Sequence, residues 1–173
     1  MERTKESVCT WDAKLYSSCN DGEIEGVIVA LVHGGRVTVR SSKGFTPLLV
    51  AAGDGHRDIC SLLLAHGSDV NEVHPDTKDT ALHFAANQGH STLVAALVSW
   101  GAEVNPQNHV GGTPLHAACQ EGYLLCVLEL LKAGASLTNN QGSLPIHIAA
   151  QNNRVEIVKT LLESGCSPDM VCF

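Results

Sequence analysis

Apolar residues in this chain fall in paired clusters of helical length, and the pairs recur with polar, glycine-rich segments between them. The first cluster of each pair opens with a Thr-Pro-Leu-His-like segment. It reads Thr46-Pro47-Leu48-Leu49-Val50-Ala51, then Thr80-Ala81-Leu82-His83-Phe84-Ala85, Thr113-Pro114-Leu115-His116-Ala117-Ala118 and Leu144-Pro145-Ile146-His147-Ile148-Ala149. Their first residues lie 34, 33 and 31 positions apart. The second clusters cover 59–64, 93–98, 126–131 and 157–162, where apolar side chains at i, i+3 and i+4 (Ile59, Leu62, Leu63) mark one face of a helix. Gly55-His56, Gly89-His90, Gly122-Tyr123 and Asn153-Arg154 separate the clusters, and Gly67, Gly101, Gly134 and Gly165 close each unit. A period of about thirty-three residues predicts stacked two-helix units rather than one globular core, so function belongs on a surface.

Each landmark has a local cause. A proline in the first turn has no amide hydrogen to leave unpaired, and the preceding threonine caps the helix. The mid-unit glycine, or Asn153, supplies the left-handed residue that ends the first helix. The polar stretch from a closing glycine to the next threonine, such as 102–112, predicts a β-hairpin-like finger. The finger before unit three carries one extra residue, with Lys78 where glycine is usual, which predicts an irregular tip. The finger before unit five is two residues shorter, which predicts a tip set back from the row. The expected fold class is all-α, mainly helical, a solenoid of helix-turn-helix units.

The pattern resembles the ankyrin repeat, in which Thr-Pro-Leu-His precedes paired alanines, Gly-His, a Leu-rich helix and Gly-Ala-x-Val-Asn. Gly101-Ala102-Glu103-Val104-Asn105 and Gly67-Ser68-Asp69-Val70-Asn71 match the last element. A degenerate earlier unit runs from Trp11 to Gly34, with Leu15, Gly22, Val27 and Leu31 in register. It reads Leu15-Tyr16-Ser17-Ser18-Cys19 and lacks Thr-Pro. Terminal units depart in this way because one face meets solvent. The expected organisation is an extension over 1–11 and an ankyrin-repeat domain over 12–173, with units starting near 13, 46, 80, 113 and 144. The finger that opens at Gly165 stops at Phe173 without a polar capping unit. That predicts either a longer protein or a last helix face that docks on something.

Composition narrows the class. The chain has 173 residues, 44% apolar but only 4% aromatic, which suits packing by Leu, Ile, Val and Ala. No stretch reaches the roughly 18 uninterrupted apolar residues of a membrane helix. Residues 1–7 lack the apolar core of a secretion signal, so no membrane insertion and an intracellular location, cytoplasmic or nuclear, are expected. Seven cysteines make an odd number with no Cys-x-x-Cys. Cys60, Cys119 and Cys126 sit where a small apolar side chain is wanted, as buried free thiols. The net charge of −7 falls on residues 58–173, which hold eleven acidic and four basic side chains. That balance disfavours nucleic acid and permits a basic partner segment.

Nine histidines raise the question of chemistry. His83, His116 and His147 share one repeat position, and His56 and His90 share another, so their spacing follows the structural period. The resemblance implies that the first set hydrogen-bonds the threonine and nearby backbone, tying units together. His33, His66, His74 and His109 fall at helix ends or in fingers without ligand spacing. Neither a phosphate loop nor a nucleophile elbow is present. No catalytic, metal or cofactor-binding residue is therefore expected, no cofactor, and nothing points to a homo-oligomer.

What remains is surface. In ankyrin repeats, fingertips and the exposed side of the first helices form a concave groove. The resemblance carries contacts onto Arg40, Ser42, Lys43, Phe45 and Asp54 in the first finger and helix. It adds Asp76, Thr77, Asp79, Asn87 and Gln88 in the next unit, then Gln107, His109, Val110, Gln120 and Glu121, and finally Gln141, Gln151 and Asn152. Phe45 is the expected anchor, since buried aromatics dominate many interfaces. Arg36, Arg40 and Lys43 form the one notable basic spot. Leu124, Leu125 and Leu128, with Trp100, are apolar where the family is mostly polar, and belong either to packing or to a second contact surface. The resemblance also implies possible hydroxylation at Asn71 and Asn105. The expected function is a non-catalytic protein-interaction module that binds a protein or peptide partner, as the recognition arm of a larger regulatory or signalling protein. The alternative is a stand-alone inhibitor that masks a signalling or transcription partner. A scaffold enzyme or small-ligand receptor ranks third.

Overall fold

The computed structural model describes residues 5–139 and 142–166, with side chains from Thr10 onward. Ten helices form five antiparallel pairs among these residues. The first helices are α1 (Lys5–Asp21), α3 (Pro47–Gly53), α5 (Ala81–Asn87), α7 (Pro114–Glu121) and α9 (Pro145–Gln151). Their partners are α2 (Ile24–Val32), α4 (Arg57–Ala65), α6 (Ser91–Ser99), α8 (Leu124–Lys132) and α10 (Val155–Glu163). The helix α1 begins at Lys5, well ahead of the degenerate motif, and is 17 residues long where the other first helices have seven or eight.

Two rows of helices stack in register. The first helices pack consecutively, α1 on α3, α3 on α5, α5 on α7 and α7 on α9. Fully buried alanines at 51, 52, 85, 86, 118 and 149 let these backbones approach closely. Leu63, Leu97, Leu130 and Leu161 fill the space under the second helices. Small residues on one row and leucines on the other bring the first helices closer together, which curves the stack towards them.

Turns follow the sequence closely. Gly55 adopts φ 78°, and a Cβ there would lie 2.7 Å from the His90 ring of the next unit, so conformation and space both require glycine. Asn153 takes φ 56° at the equivalent place in unit five. Among the described residues the fingers form no regular strand, only an isolated bridge between Val73 and Thr80. Each finger is nonetheless closed by a hairpin-like bond, Ser41 N–H to Phe45 O, His74 to Asp79, Asn108 to Gly112 and Asn139 to Ser143. The second of these spans one residue more, with Lys78 left-handed at φ 61°, as its extra residue predicts. The shortened finger before unit five keeps the closing bond from Asn139 to Ser143, so its two missing residues fall between Gly134 and Asn139. The expected set-back tip concerns Asn140 and Gln141, which lie outside the described residues, as does the last finger beyond Cys166.

Buried thiols pack as small apolar groups. Cys19, Cys60, Cys119, Cys126 and Cys166 are free and buried. Burial pushes the Cys19, Cys60 and Cys119 thiols up to about 12 and Cys126 up to about 11. At neutral pH they are protonated and poorly nucleophilic.

Candidate functional site

The inner curve of the stack carries the candidate site, and its walls are held by side chains the repeat supplies. Thr80 and Thr113 accept the N3 backbone N–H of α5 and α7, and His83 and His116 return the bond to the threonine backbone. Thr80 N–H lies 3.2 Å from His83 Nδ1 and Thr113 N–H lies 3.3 Å from His116 Nδ1. With Nδ1 accepting, Nε2 carries the proton and donates to the next finger. His83 Nε2 reaches Gly112 O at 3.1 Å, and His116 Nε2 reaches Ser143 O at 3.3 Å. Burial holds both imidazoles below the ordinary histidine range, against the carbonyl bonds that favour the charged form.

The third histidine of this set behaves differently, which corrects the expectation that all three bond the threonine. His147 is exposed and its ring has no hydrogen-bond partner among the described residues, because Leu144 has no hydroxyl to offer.

Fingers are also tied to one another. His74 Nε2 bonds Lys43 O at 2.8 Å, His109 N–H donates to Thr77 O at 2.9 Å, and Asn139 Nδ2 donates to Gly111 O at 2.7 Å. At the finger bases, Asn71 Oδ1 accepts Glu103 N–H at 2.8 Å and Asn105 Oδ1 accepts Ser136 N–H at 2.7 Å. Two of the three basic residues noted on the first finger are paired. Arg36 clamps the buried Asp12 carboxylate through its backbone and guanidinium. Burial pushes that carboxyl up, but the Arg36 bonds and charge outweigh it and hold it below the usual range. Arg40 bonds Glu72 at 2.7 Å.

Between the fingers and α5, α7 and α9 lies a depression of about 400 Å³. Asp79, His83, Phe84 and Asn87 line it from unit three. Unit four contributes Asn108, Val110, Gly112, Thr113, His116, Ala117 and Gln120, and unit five Asn139, Ser143 and Ile148. The structure thus brings together Asp79, Asn87, Val110 and Gln120 from the sequence-based set. Ser42, Lys43, Asp54, Asp76, Gln88, His109, Gln151 and Asn152 are exposed outside the depression, and Thr77, Gln107 and Glu121 are half-buried around it. Phe45 is half-buried, its ring 4.6 Å from His74 and 5.5 Å from Phe84. Gln141 lies outside the described residues.

Sequence reasoning missed Phe84, Ala117 and Ile148. A signal for them existed. They and Val50 occupy the position after the fourth residue of the repeated segment, where residue size changes from unit to unit. On the outer surface Leu125 is 65% exposed, whereas Trp100 and Leu124 are half-buried against the core and Leu128 is half-buried. Among the described residues no group of three or more His, Cys, Asp or Glu converges as a metal site, and no helix is long and apolar enough to cross a membrane.

Comparison with known proteins agrees with this architecture. The sequence family described as "Ankyrin repeats (3 copies)" matches residues 15–108 and 101–171. The chain is 33% identical over 115 residues to "Ankyrin repeat and KH domain-containing protein mask-1" of Caenorhabditis elegans, covering 66% of this chain and 4% of that protein. It is 36% identical over 101 residues to the human "Ankyrin repeat and KH domain-containing protein 1", covering 58% and 4%. A zebrafish (Danio rerio) protein, "Neurogenic locus notch homolog protein 1", is 29% identical over 96 residues, covering 47% and 4%. The chain therefore spans about 4% of the length of these relatives.

Proposed function

We propose that this chain, which belongs to the ankyrin-repeat family, binds a protein partner through the groove between its fingers and first helices, as the recognition part of a larger regulatory or signalling protein. Ankyrin repeats are protein-interaction modules, and the family is generally non-catalytic. The observation that carries the reading is the bonded row of fingers standing over the depression beside Phe84, Ala117 and Ile148. Such a surface is largely formed before a partner arrives, which lowers the ordering cost of association. The stretch matched by this chain is a small share of the much longer relatives, which supports a component role.

Affinity capture tests this reading. The wild-type chain, an Asn87→Arg/Gln120→Arg groove variant and a Leu125→Glu outer-face variant are compared as baits. Partner proteins held by the wild type and the outer-face variant, and lost by the groove variant, are the expected result. Equal retention by the groove variant would sink the assignment. The same purified proteins report on Asn71 and Asn105, which we propose as hydroxylation acceptors: cell-derived chain lacking the added mass of one oxygen at both counts against that role.

A further inference from the structure

The depression is not uniform along the groove. Val50, Phe84, Ala117 and Ile148 repeat at one position on the inner face, and all four are partly exposed. Ala117 offers a methyl group between the much larger Phe84 and Ile148, so the row dips at unit four. Val110, 65% exposed on the finger before unit four, lines the same hollow. A notch over Ala117 therefore has an aromatic wall, an aliphatic wall and an apolar fingertip.

Its polar walls offer few unused donors. His83 and His116 direct Nε2 to finger carbonyls, and the Asn108 and Asn139 amides bond Asp79 and Gly111. Imidazoles held in this way leave apolar contact as the main attraction inside the notch. The Asn87 amide side chain, without a hydrogen-bond partner among the described residues, remains available for a peptide backbone.

Charge points to the partner. Asp79 is the one carboxylate in the lining, and neither lysine nor arginine lines the hollow. Asp79 receives Asn108 Nδ2 on Oδ1 at 2.9 Å and makes no ion pair among the described residues. Glu121 stands half-buried beside Gln120, whereas Lys78 is exposed and outside the lining. The hollow is apolar at its base and carries one carboxylate, Asp79, on its unit-three wall; Arg154, outside the lining, bonds Gln120 O at 3.3 Å on the unit-four side.

Resting on the groove reading, we infer that the notch above Ala117 takes a bulky aliphatic or aromatic side chain from an extended segment of a protein partner, and that a lysine or arginine within a residue or two meets Asp79. Charge complementarity sets the second requirement and the shape of the row sets the first. An acidic segment meets repulsion at Asp79, and a purely polar one leaves the apolar walls wet.

A displayed library of random dodecapeptides is panned on the wild-type chain, and two enriched sequences are made synthetically for fluorescence anisotropy. The enriched sequences share one bulky apolar residue with a neighbouring Lys or Arg. Ala117→Leu, which fills the notch on a partly exposed helix face, weakens binding by about tenfold or more. Val110→Ser, at an exposed fingertip that does not carry the fold, causes a smaller loss, and Asp79→Asn abolishes the preference for the basic residue while keeping the Asn108 bond. Thermal melting by circular dichroism checks that Ala117→Leu is folded. Three results overturn the inference: no enriched sequence, enrichment without the apolar–basic pair, or unchanged binding by both Ala117→Leu and Val110→Ser. If those peptides are instead lost on Ser42→Arg/Asp54→Arg, the groove survives and the notch fails. If only Leu125→Glu removes them, the groove reading fails as well.

Discussion

Units three and four make the polar bonds of the repeat in full, and unit five makes almost none of its own. Thr80 with His83 and Thr113 with His116 cap their helices and reach forward to the next finger. Leu144 and His147 do neither. Unit five is held instead by buried Leu144 and Ile146, by His116 and Asn105 reaching to it, and by Asn139 and Arg154 reaching back. The histidine of the motif therefore serves the junction ahead of it more than the helix that bears it.

Core truncation is the strongest way to break that contrast. Leu115 is fully buried between neighbours on both sides, so Leu115→Ala is expected to lose about 2–5 kcal/mol in urea unfolding and to uncouple both halves of the stack. Ile146→Ala in unit five is expected to fray that end first, seen as hydrogen exchange confined to α9 and α10. The motif histidines come next. His116→Ala leaves the buried Thr113 cap without its partner and should lose about 1–3 kcal/mol, with faster exchange in unit five. His147→Ala should stay within about 0.5 kcal/mol of wild type, as an exposed substitution does. A destabilising His147→Ala would show that residues beyond the described chain complete its bond.

Acidification probes the same junctions. His83 and His116 are kept neutral in the fold by burial, so their folded pKa lies below the unfolded value. Above the unfolded pKa, about 6.5, they exert no pH effect. As pH falls through it the unfolded chain binds protons first, and stability declines until the folded pKa is passed. Melting temperatures should fall from pH 7 to pH 5, and a His83→Gln/His116→Gln variant should flatten that slope. A slope unchanged in the variant would assign it to other groups. A gain rather than a loss is expected in unit one. Ser18 is fully buried where later units place alanine, and its hydroxyl has no hydrogen-bond partner. Gly26 faces it, where later units place Ile59, Leu93, Cys126 and Ile157. Ser18→Ala should gain about 1 kcal/mol, readable as a higher melting temperature.

Much of this could be read in the chain because it is local. Caps, left-handed glycines and the i, i+3, i+4 faces depend on a few neighbouring residues, and they recur from unit to unit. The candidate site is less legible because it is made between copies. Phe45 looks like a free aromatic in its own finger, yet His74 and Phe84 from the next unit close over it. Arg36 and Arg40 look like a basic cluster until Asp12 and Glu72, distant in sequence, neutralise them. Ala117 looks like one more packing alanine, and only the size of Phe84 and Ile148 on either side turns it into a notch.

The asparagine rungs at the finger bases occupy only the two middle fingers, and that sets how the first junction responds to its medium. Asn71 and Asn105 join their fingers to the next by neutral bonds, but Thr38 and Thr138 stand at the corresponding places in the first finger and in the finger before unit five, and Thr38 makes no such bond among the described residues. There Arg40 crosses to Glu72 instead, a partly exposed charge pair. Salt screens such a pair and leaves amide rungs almost untouched. Raising ionic strength therefore weakens that charge pair and leaves the first finger held to the second by the His74–Lys43 bond, while the amide rungs at Asn71 and Asn105 keep their strength.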